Sequence, residues 1–367
     1  MTKNKINSFQ LSLLVFFLCT TSFLEIGFSK LFNLGKPDIL LIMILGILIG
    51  YFLLKMFLAI NNFEPNKNIF EKNTIVFGKV LGKLINALII VTLLIVSLSL
   101  IFNFIRFIRS QYLVETPTIF IGLAFLGVCF YAASKDGEII TRIGIFLLLG
   151  NFLLFLASFI GLIQYINPSN LKPIFTAKPL EWLEYGYYFI SLFALLPFLL
   201  SVFPKNQVID PDNYEKYIKR AYWGASIIIM IISFTIITVL GAELLTLVEY
   251  PEYIVLQKIG ILNFIERIEN VTSIQWIFSI FMTITTIVYG LRLGLKETFQ
   301  LKKKVVSNIG LGICCLLVLI FTSYLIPKSV FWQNTLLHLL PYILTVSCFI
   351  PALLIFCGIQ FKKKKHT

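Results

Sequence analysis

Apolar residues run along this chain in ten long blocks separated by short polar stretches. The blocks lie near 9–33, 37–60, 84–105, 117–133, 143–166, 182–203, 222–247, 273–292, 306–326 and 336–358. A helix that crosses a bilayer needs roughly 20 apolar residues. The pattern therefore predicts an all-α polytopic membrane protein of about ten transmembrane helices. The longest pieces outside the blocks, 61–83, 204–221 and 248–272, are too short to bury a core of their own. Soluble catalytic domains are thereby excluded.

Two blocks carry signs of interruption. The first is too long for one straight span, and Cys19-Thr20-Thr21-Ser22 stands near its middle. Ser and Thr hydroxyls bond backbone carbonyls and soften a helix. Glu25 follows one turn later, and an ionisable group at membrane depth is a functional candidate. The sixth block reads Ser191-Leu192-Phe193-Ala194-Leu195-Leu196-Pro197-Phe198. Pro197 removes one donor and clashes with the preceding turn, which frees carbonyls near Phe193 and Ala194. Ten spans divide into five plus five, so spans one and six correspond, and transporters bind substrate where such paired helices break. The candidate ligand site is therefore Thr20, Thr21, Ser22 and Glu25 with Phe193, Ala194 and Pro197, and Thr283 from span eight. A packing patch and a plain kink are the structural alternatives. Asn103, Asn151, Thr285, Thr286 and Tyr289 read as interhelical hydrogen-bonding groups.

Composition strengthens the membrane reading. Hydrophobic residues make up 58% and charged residues 13%, where a soluble domain has roughly 25% charged; mean hydropathy is +0.90. The net charge of +13 would suit nucleic acid were it not for its distribution. With the N-terminus placed in the cytoplasm, 22 of the 31 lysines and arginines fall on the cytoplasmic side and 9 on the other. Positive charge marks the cytoplasmic side, so both termini are expected there. Lys362–Lys365 reads as an anchor on anionic lipid, with no nucleic-acid partner. The first block lacks a small-residue cleavage site and is expected to stay as a span.

The six cysteines fall inside blocks without metal spacing and read as packing residues. His338 and His366 are the two histidines. No Gly-rich phosphate loop, zinc motif or Ser-His-Asp set occurs. No catalytic residue, cofactor or metal is expected.

Three loops are unlike plain linkers. Phe77-Gly78-Lys79-Val80-Leu81-Gly82-Lys83 precedes span three. Glu138 and Arg142, four apart, form a helix-face ion pair ahead of span five. Between spans seven and eight, Tyr250-Pro251-Glu252-Tyr253 opens a piece rich in Val, Leu and Ile that ends at Arg267-Ile268-Glu269 and Trp276. It predicts a helix on the outer surface, either purely interfacial or covering a vestibule.

These residues resemble the GerAB-type spore germination permeases, the B subunits of spore germinant receptors. The resemblance is carried by Gly78-Lys79, Gly82-Lys83, Glu115-Thr116-Pro117, Gly137-Glu138 with Arg142, and Asn170-Leu171-Lys172-Pro173. Leu196-Pro197-Phe198, Tyr250-Pro251 with Tyr253, and Arg267-Ile268-Glu269 with Trp276 complete it, in order, from about residue 70 to 290. It implies an amino acid–polyamine–organocation transporter-like (LeuT-like) fold with two inverted five-helix repeats, 1–180 and 181–367. It also implies residence in the spore inner membrane, A-type and lipoprotein C-type partner subunits, and sensing of a small germinant such as an amino acid. Two departures from the family pattern occur: Thr20-Thr21-Ser22 stand where glycines are expected, and Ile190 where an acidic residue is expected early in span six. Glu115, Pro117, Glu138, Arg142, Arg267, Glu269 and Trp276 are read as structural, at membrane surfaces. An H⁺- or Na⁺-coupled amino-acid transporter is the alternative function, with Glu25 and Glu243 the candidate coupling carboxylates. A structural subunit without a ligand is a third.

Overall fold

The computed structural model describes residues 6–32, 37–259, 269–301 and 303–364. Among the described residues ten apolar helical segments occur in the predicted order. Eight are long and apolar enough to cross a bilayer, and two shorter ones, Ser8–Leu24 and Thr118–Ser134, stand first and fourth. Among the described residues the only β-feature is an isolated bridge between Ile6 and Val208.

The first segment is α1 (Ser8–Thr21), a π turn over Ser22–Gly27, and α2 (Phe28–Phe32). Asn7 and Gln10 start α1 with a reciprocal capping box, which satisfies two of the donors a helix start leaves open. Spans two to five are α3 (Ile39–Asn62), α4 (Ile69–Gln111), α5 (Thr118–Ser134) and α6 (Gly137–Leu162). Span six begins as α7 (Pro179–Leu195) and tightens to a 3₁₀ stretch over Leu196–Val202. Span seven is α8 (Tyr214–Leu245), followed by the short α9 (Pro251–Ile254), and span eight is α10 (Glu269–Thr298). Span nine is α11 (Lys304–Leu325). The last segment is α12 (Ser329–Leu344), a π turn over Thr345–Phe349, and α13 (Ile350–Lys364). This third interruption was not expected. It follows Pro341, whose carbonyl accepts from the hydroxyls of Thr345 at 2.8 Å and Tyr187 at 3.3 Å.

The glycine-lysine loop before span three is a reversal. Gly78 has φ +79°, outside the range L-residues favour, so the amphipathic start of α4 turns back before the span begins. A Cβ on Gly82 would lie 2.6 Å from the Thr74 Cα and 2.8 Å from the Asn73 carbonyl. Only glycine allows that approach. Asn73 and Asn86 close the hairpin with a side-chain hydrogen bond of 2.8 Å.

Loops gather on two faces, as alternating spans require. On one face, Ile6 bonds the Gln207 carbonyl and the Ile209 amide, Lys205 reaches Asn62, and Asn206 bonds the Pro65 carbonyl. Buried Arg292 on α10 donates to the carbonyls of Ala133, Ser134 and Lys135 at 2.8–3.0 Å. Buried Lys72 does the same for Ile60 and Asn61. Both cations thus cap helix C-termini, where carbonyls lack partners and the dipole favours positive charge. On the opposite face, Arg106 pairs with Glu249, and the Asp38 carboxylate accepts from the amides of Phe175 and Ala177. Inside, α1 lies against α8, α10 and α6, and α7 against α3.

Candidate functional site

Span six changes at the predicted Pro197, whereas in span one the α-helix runs through Thr21 and changes over Ser22–Gly27, one turn later than predicted; the two spans meet there. Pro197 has no N–H to offer the Phe193 carbonyl, so the α-helix ends at Leu195. The freed carbonyl accepts a weak hydrogen bond from the Cys19 thiol, 3.7 Å away on α1. In α1 the chain widens into a π turn instead of unwinding. The amide of Ser22 still bonds the carbonyls of Leu18 and Cys19.

The hydroxyls of Thr20, Thr21, Ser22 and Thr283 each have a partner. Thr20 donates to the Phe16 carbonyl at 2.9 Å and Ser22 to that of Cys19 at 3.1 Å. Thr283 on α10 donates to the Thr21 hydroxyl at 2.9 Å and lies 3.3 Å from the Phe17 carbonyl. The α7 side is filled by rings. Phe193 stacks on Phe189 with centroids 5.1 Å apart, Phe23 meets Phe189 at 5.8 Å, and Tyr222 meets Phe193 at 5.3 Å. Ala194 and Pro197 are buried in the same layer. Glu25 falls in the π turn; its side chain lies outside the described part of the structure.

A cavity opens on the other face of α1. It has a volume of about 110 Å³ and lies between α1, α6, α8 and α10, roofed by α9 and the turn after it. Its walls are apolar, with Phe155, Phe159 and Trp276 among them, and Thr20 is the predicted ligand residue that reaches it. Asn151 donates to the Ser279 hydroxyl at 3.0 Å across the α6–α10 seam, and Gln275 donates to the Asn151 carbonyl at 3.0 Å. Glu252, on α9, lines the roof at 7% exposure, and its Oε2 has no hydrogen-bond partner among the described residues. Burial pushes its carboxyl up to about 8 from the ordinary 4.5.

Sequence reasoning missed Glu252. An acidic residue in an amphipathic stretch is assigned to the solvent face by pattern alone. Here α9 is a single turn that buries Pro251, Glu252 and Tyr253 together, so no solvent face exists for the carboxylate. The Val255 and Leu256 that follow are buried over the cavity rather than lying on a surface. Trp276, read as a structural motif residue, meets Phe107 at 4.3 Å and also lines the cavity.

The remaining motif residues sit at the faces. Glu115 and Pro117 are exposed, and Pro117 is the N-cap of α5. Glu138 and Arg142 form the predicted i,i+4 pair. Glu269 occupies the first turn of α10, where an acidic residue suits the helix dipole. Arg267 lies outside the described residues. Asn170 of the loop after span five donates to the Thr238 carbonyl at 2.8 Å, beside Gly241, whose φ of +77° kinks α8. Of the six cysteines, Cys357 is exposed rather than packed.

Paired interruptions in spans one and six of a ten-segment helical bundle define a transporter-like membrane protein. The fold matches a solved Na⁺-coupled sialic acid symporter in a substrate-bound outward-open state. The TM-score is 0.65, covering 95% of this chain and 80% of that one at 9% identity. The chain belongs to the spore germination protein family (Spore_permease), whose profile matches residues 5–331. Relatives include spore germination protein GerQB of Bacillus cereus, 24% identical over 80% of this chain and 81% of that one. Spore germination protein KB of Bacillus subtilis (strain 168) is 24% identical over 82% of each. The Bacillus subtilis protein YfkT is 28% identical over 62% of this chain and 63% of its own length. Family and fold are both of permease type.

Proposed function

We propose that the protein is the integral membrane subunit of a spore germinant receptor, which senses a small germinant of amino-acid size. In this reading it resides in the spore inner membrane with both termini cytoplasmic. It assembles with A-type and lipoprotein C-type subunits, and its two five-helix repeats, 1–180 and 181–367, pair spans one and six. The observation that carries the reading is the crossing of two interrupted helices in a chain of this family. Such interruptions are where a transporter-like fold meets its ligand. Thr20, Thr21, Ser22, Glu25, Phe193, Ala194, Pro197 and Thr283 are the residues assigned to that meeting.

The crossing is closed here, so sensing requires it to part. A ligand shifts such an equilibrium only by binding the open form more tightly. Transport would ask for coupling carboxylates inside the bundle. Glu243, one of the two candidates, is exposed beyond the Gly241 kink, which removes it as a coupling group.

The test is germination of spores carrying Thr21→Val, which keeps volume and removes the hydroxyl that holds Thr283. A panel of amino acids, sugars and nucleosides identifies the germinant against a deletion strain. The half-maximal germinant concentration is expected to shift at unchanged protein level. A deletion strain that germinates normally with every member of the panel would overturn the receptor reading, and an unaltered dose–response for Thr21→Val would overturn the site.

A further inference from the structure

Two residues that line the cavity beside α1, Glu252 and Asn151, each carry a buried unpartnered oxygen, and among the described residues the lining holds no cation. The Glu252 Oε2 and the Asn151 Oδ1 both lack hydrogen-bond partners among the described residues. An unsatisfied buried acceptor costs about 1–3 kcal/mol, more when charged, so the pair calls for a donor from elsewhere. None of the described lining side chains is basic.

The groups on neighbouring elements are engaged or turned away. Lys258, in the turn after α9, donates to the Val239 carbonyl at 3.0 Å, and Arg106 on α4 is taken by Glu249. Tyr250 and Tyr253 flank Glu252 and pack on Phe107. Glu243 on α8 is exposed, and Glu269 stands at the start of α10 outside the cavity lining.

We propose that this cavity is a binding site for a small apolar monoamine, its ammonium held by the Glu252 carboxylate and the Asn151 amide oxygen and its alkyl group by Phe155, Phe159 and Trp276. An ammonium has three donors and no acceptor, which answers two unpartnered acceptors. Aromatic faces add cation–π attraction. Size sets the other end: an engineered cavity of about 150 Å³ accepts benzene, so 110 Å³ suits a branched chain of roughly four or five carbons. A free amino acid fits less well, because its carboxylate would face the same two acceptors with no basic side chain among the described lining residues to meet it.

Binding also moves a proton. At neutral pH the empty site holds Glu252 protonated, since burial pushes its carboxyl up to about 8. The ammonium needs the carboxylate, so each RNH₃⁺ that enters releases one H⁺ from Glu252 to solvent. Affinity therefore rises about tenfold per pH unit below 8 and levels off above it.

The inference does not rest on the germinant reading, because it is read on the purified full-length chain. Isothermal titration in detergent compares 3-methylbutylamine with 3-methylbutanol, 3-methylbutanoate and leucine. The amine is expected to bind at least about tenfold more tightly than each of the other three. It should release close to one proton at pH 6.5 and gain about tenfold in affinity from pH 6 to 7. Glu252→Gln, which keeps shape and removes charge, is expected to weaken the amine by about 10- to 100-fold, the effect of a charged hydrogen bond. It should also abolish proton release. Equal binding of amine and alcohol would reduce the cavity to an apolar slot and overturn the proposal. So would amine affinity that does not change with pH, a result that needs no variant.

Discussion

The two faces of α1 are built from similar residues and have opposite character. Toward α7, the crossing is sealed: the Cys19 thiol meets the Phe193 carbonyl, and Phe189, Phe193 and Tyr222 fill the space between. Toward α6 and α8, a cavity remains whose polar groups are incompletely paired. The difference lies in what faces α1. On the α7 side Gly50 of α3 lets neighbours close in; a Cβ there would meet the Tyr222 hydroxyl at 2.3 Å and the Ala194 Cβ at 3.0 Å. On the other side α6 and α8 are held apart, and among the described residues α9 and the turn after it cover the gap. A sealed seam resists added volume and a cavity resists added charge.

The largest expected effect separates the two faces by pH. Glu252 titrates near 4.5 when unfolded and near 8 when folded, so between these values the folded protein holds the extra proton. Its contribution then falls as pH rises through that window, by at most about 1.4 kcal/mol per unit. Thermal unfolding in detergent should show Glu252→Gln gaining on the parent protein from pH 5 to 8. Parallel curves would show that Glu252 is solvated.

Next comes volume on the sealed side. Gly50→Ala must displace Tyr222, whose hydroxyl donates to the Ile47 carbonyl at 2.7 Å. Overpacking of this kind costs about 1–3 kcal/mol. Ser158→Val on the cavity wall should leave the melting temperature nearly unchanged, since its hydroxyl only bonds the Leu154 carbonyl of its own helix. Equal losses at both positions would erase the contrast.

Smaller still is Thr283→Val. It removes the donor to Thr21 and Phe17 while keeping shape, for an expected loss of about 1 kcal/mol. A double variant with Thr21→Val should cost less than the sum of the two, because they share one bond. Smallest is Glu138→Gln at the membrane face. Its partner Arg142 is exposed and Glu138 half-buried, so a change of about 0.3–0.5 kcal/mol is expected in the same unfolding assay, screened by salt.

Much of this was legible in the chain. Ten apolar blocks mark ten segments because a bilayer sets a length that hydropathy reads directly. Pro197 marks the end of α7 because a missing N–H acts locally, whatever surrounds it. Ser22 after two threonines marks the softened turn in α1 by the same local logic, and Glu138 with Arg142 pairs through helix spacing alone. Spacing does not show which face of α1 closes. That depends on Gly50, Tyr222 and Phe189, which come from three other helices. Glu252 shows the limit most plainly. Its neighbours in sequence suit an interfacial helix, and only the docking of a single turn against α8 and α10 turns its carboxylate inward. Secondary structure follows from hydrogen bonding and sterics within a few residues, which sequence carries. A cavity and its unpaired acceptors arise where distant helices fail to fill the space between them, and only their arrangement in three dimensions decides that.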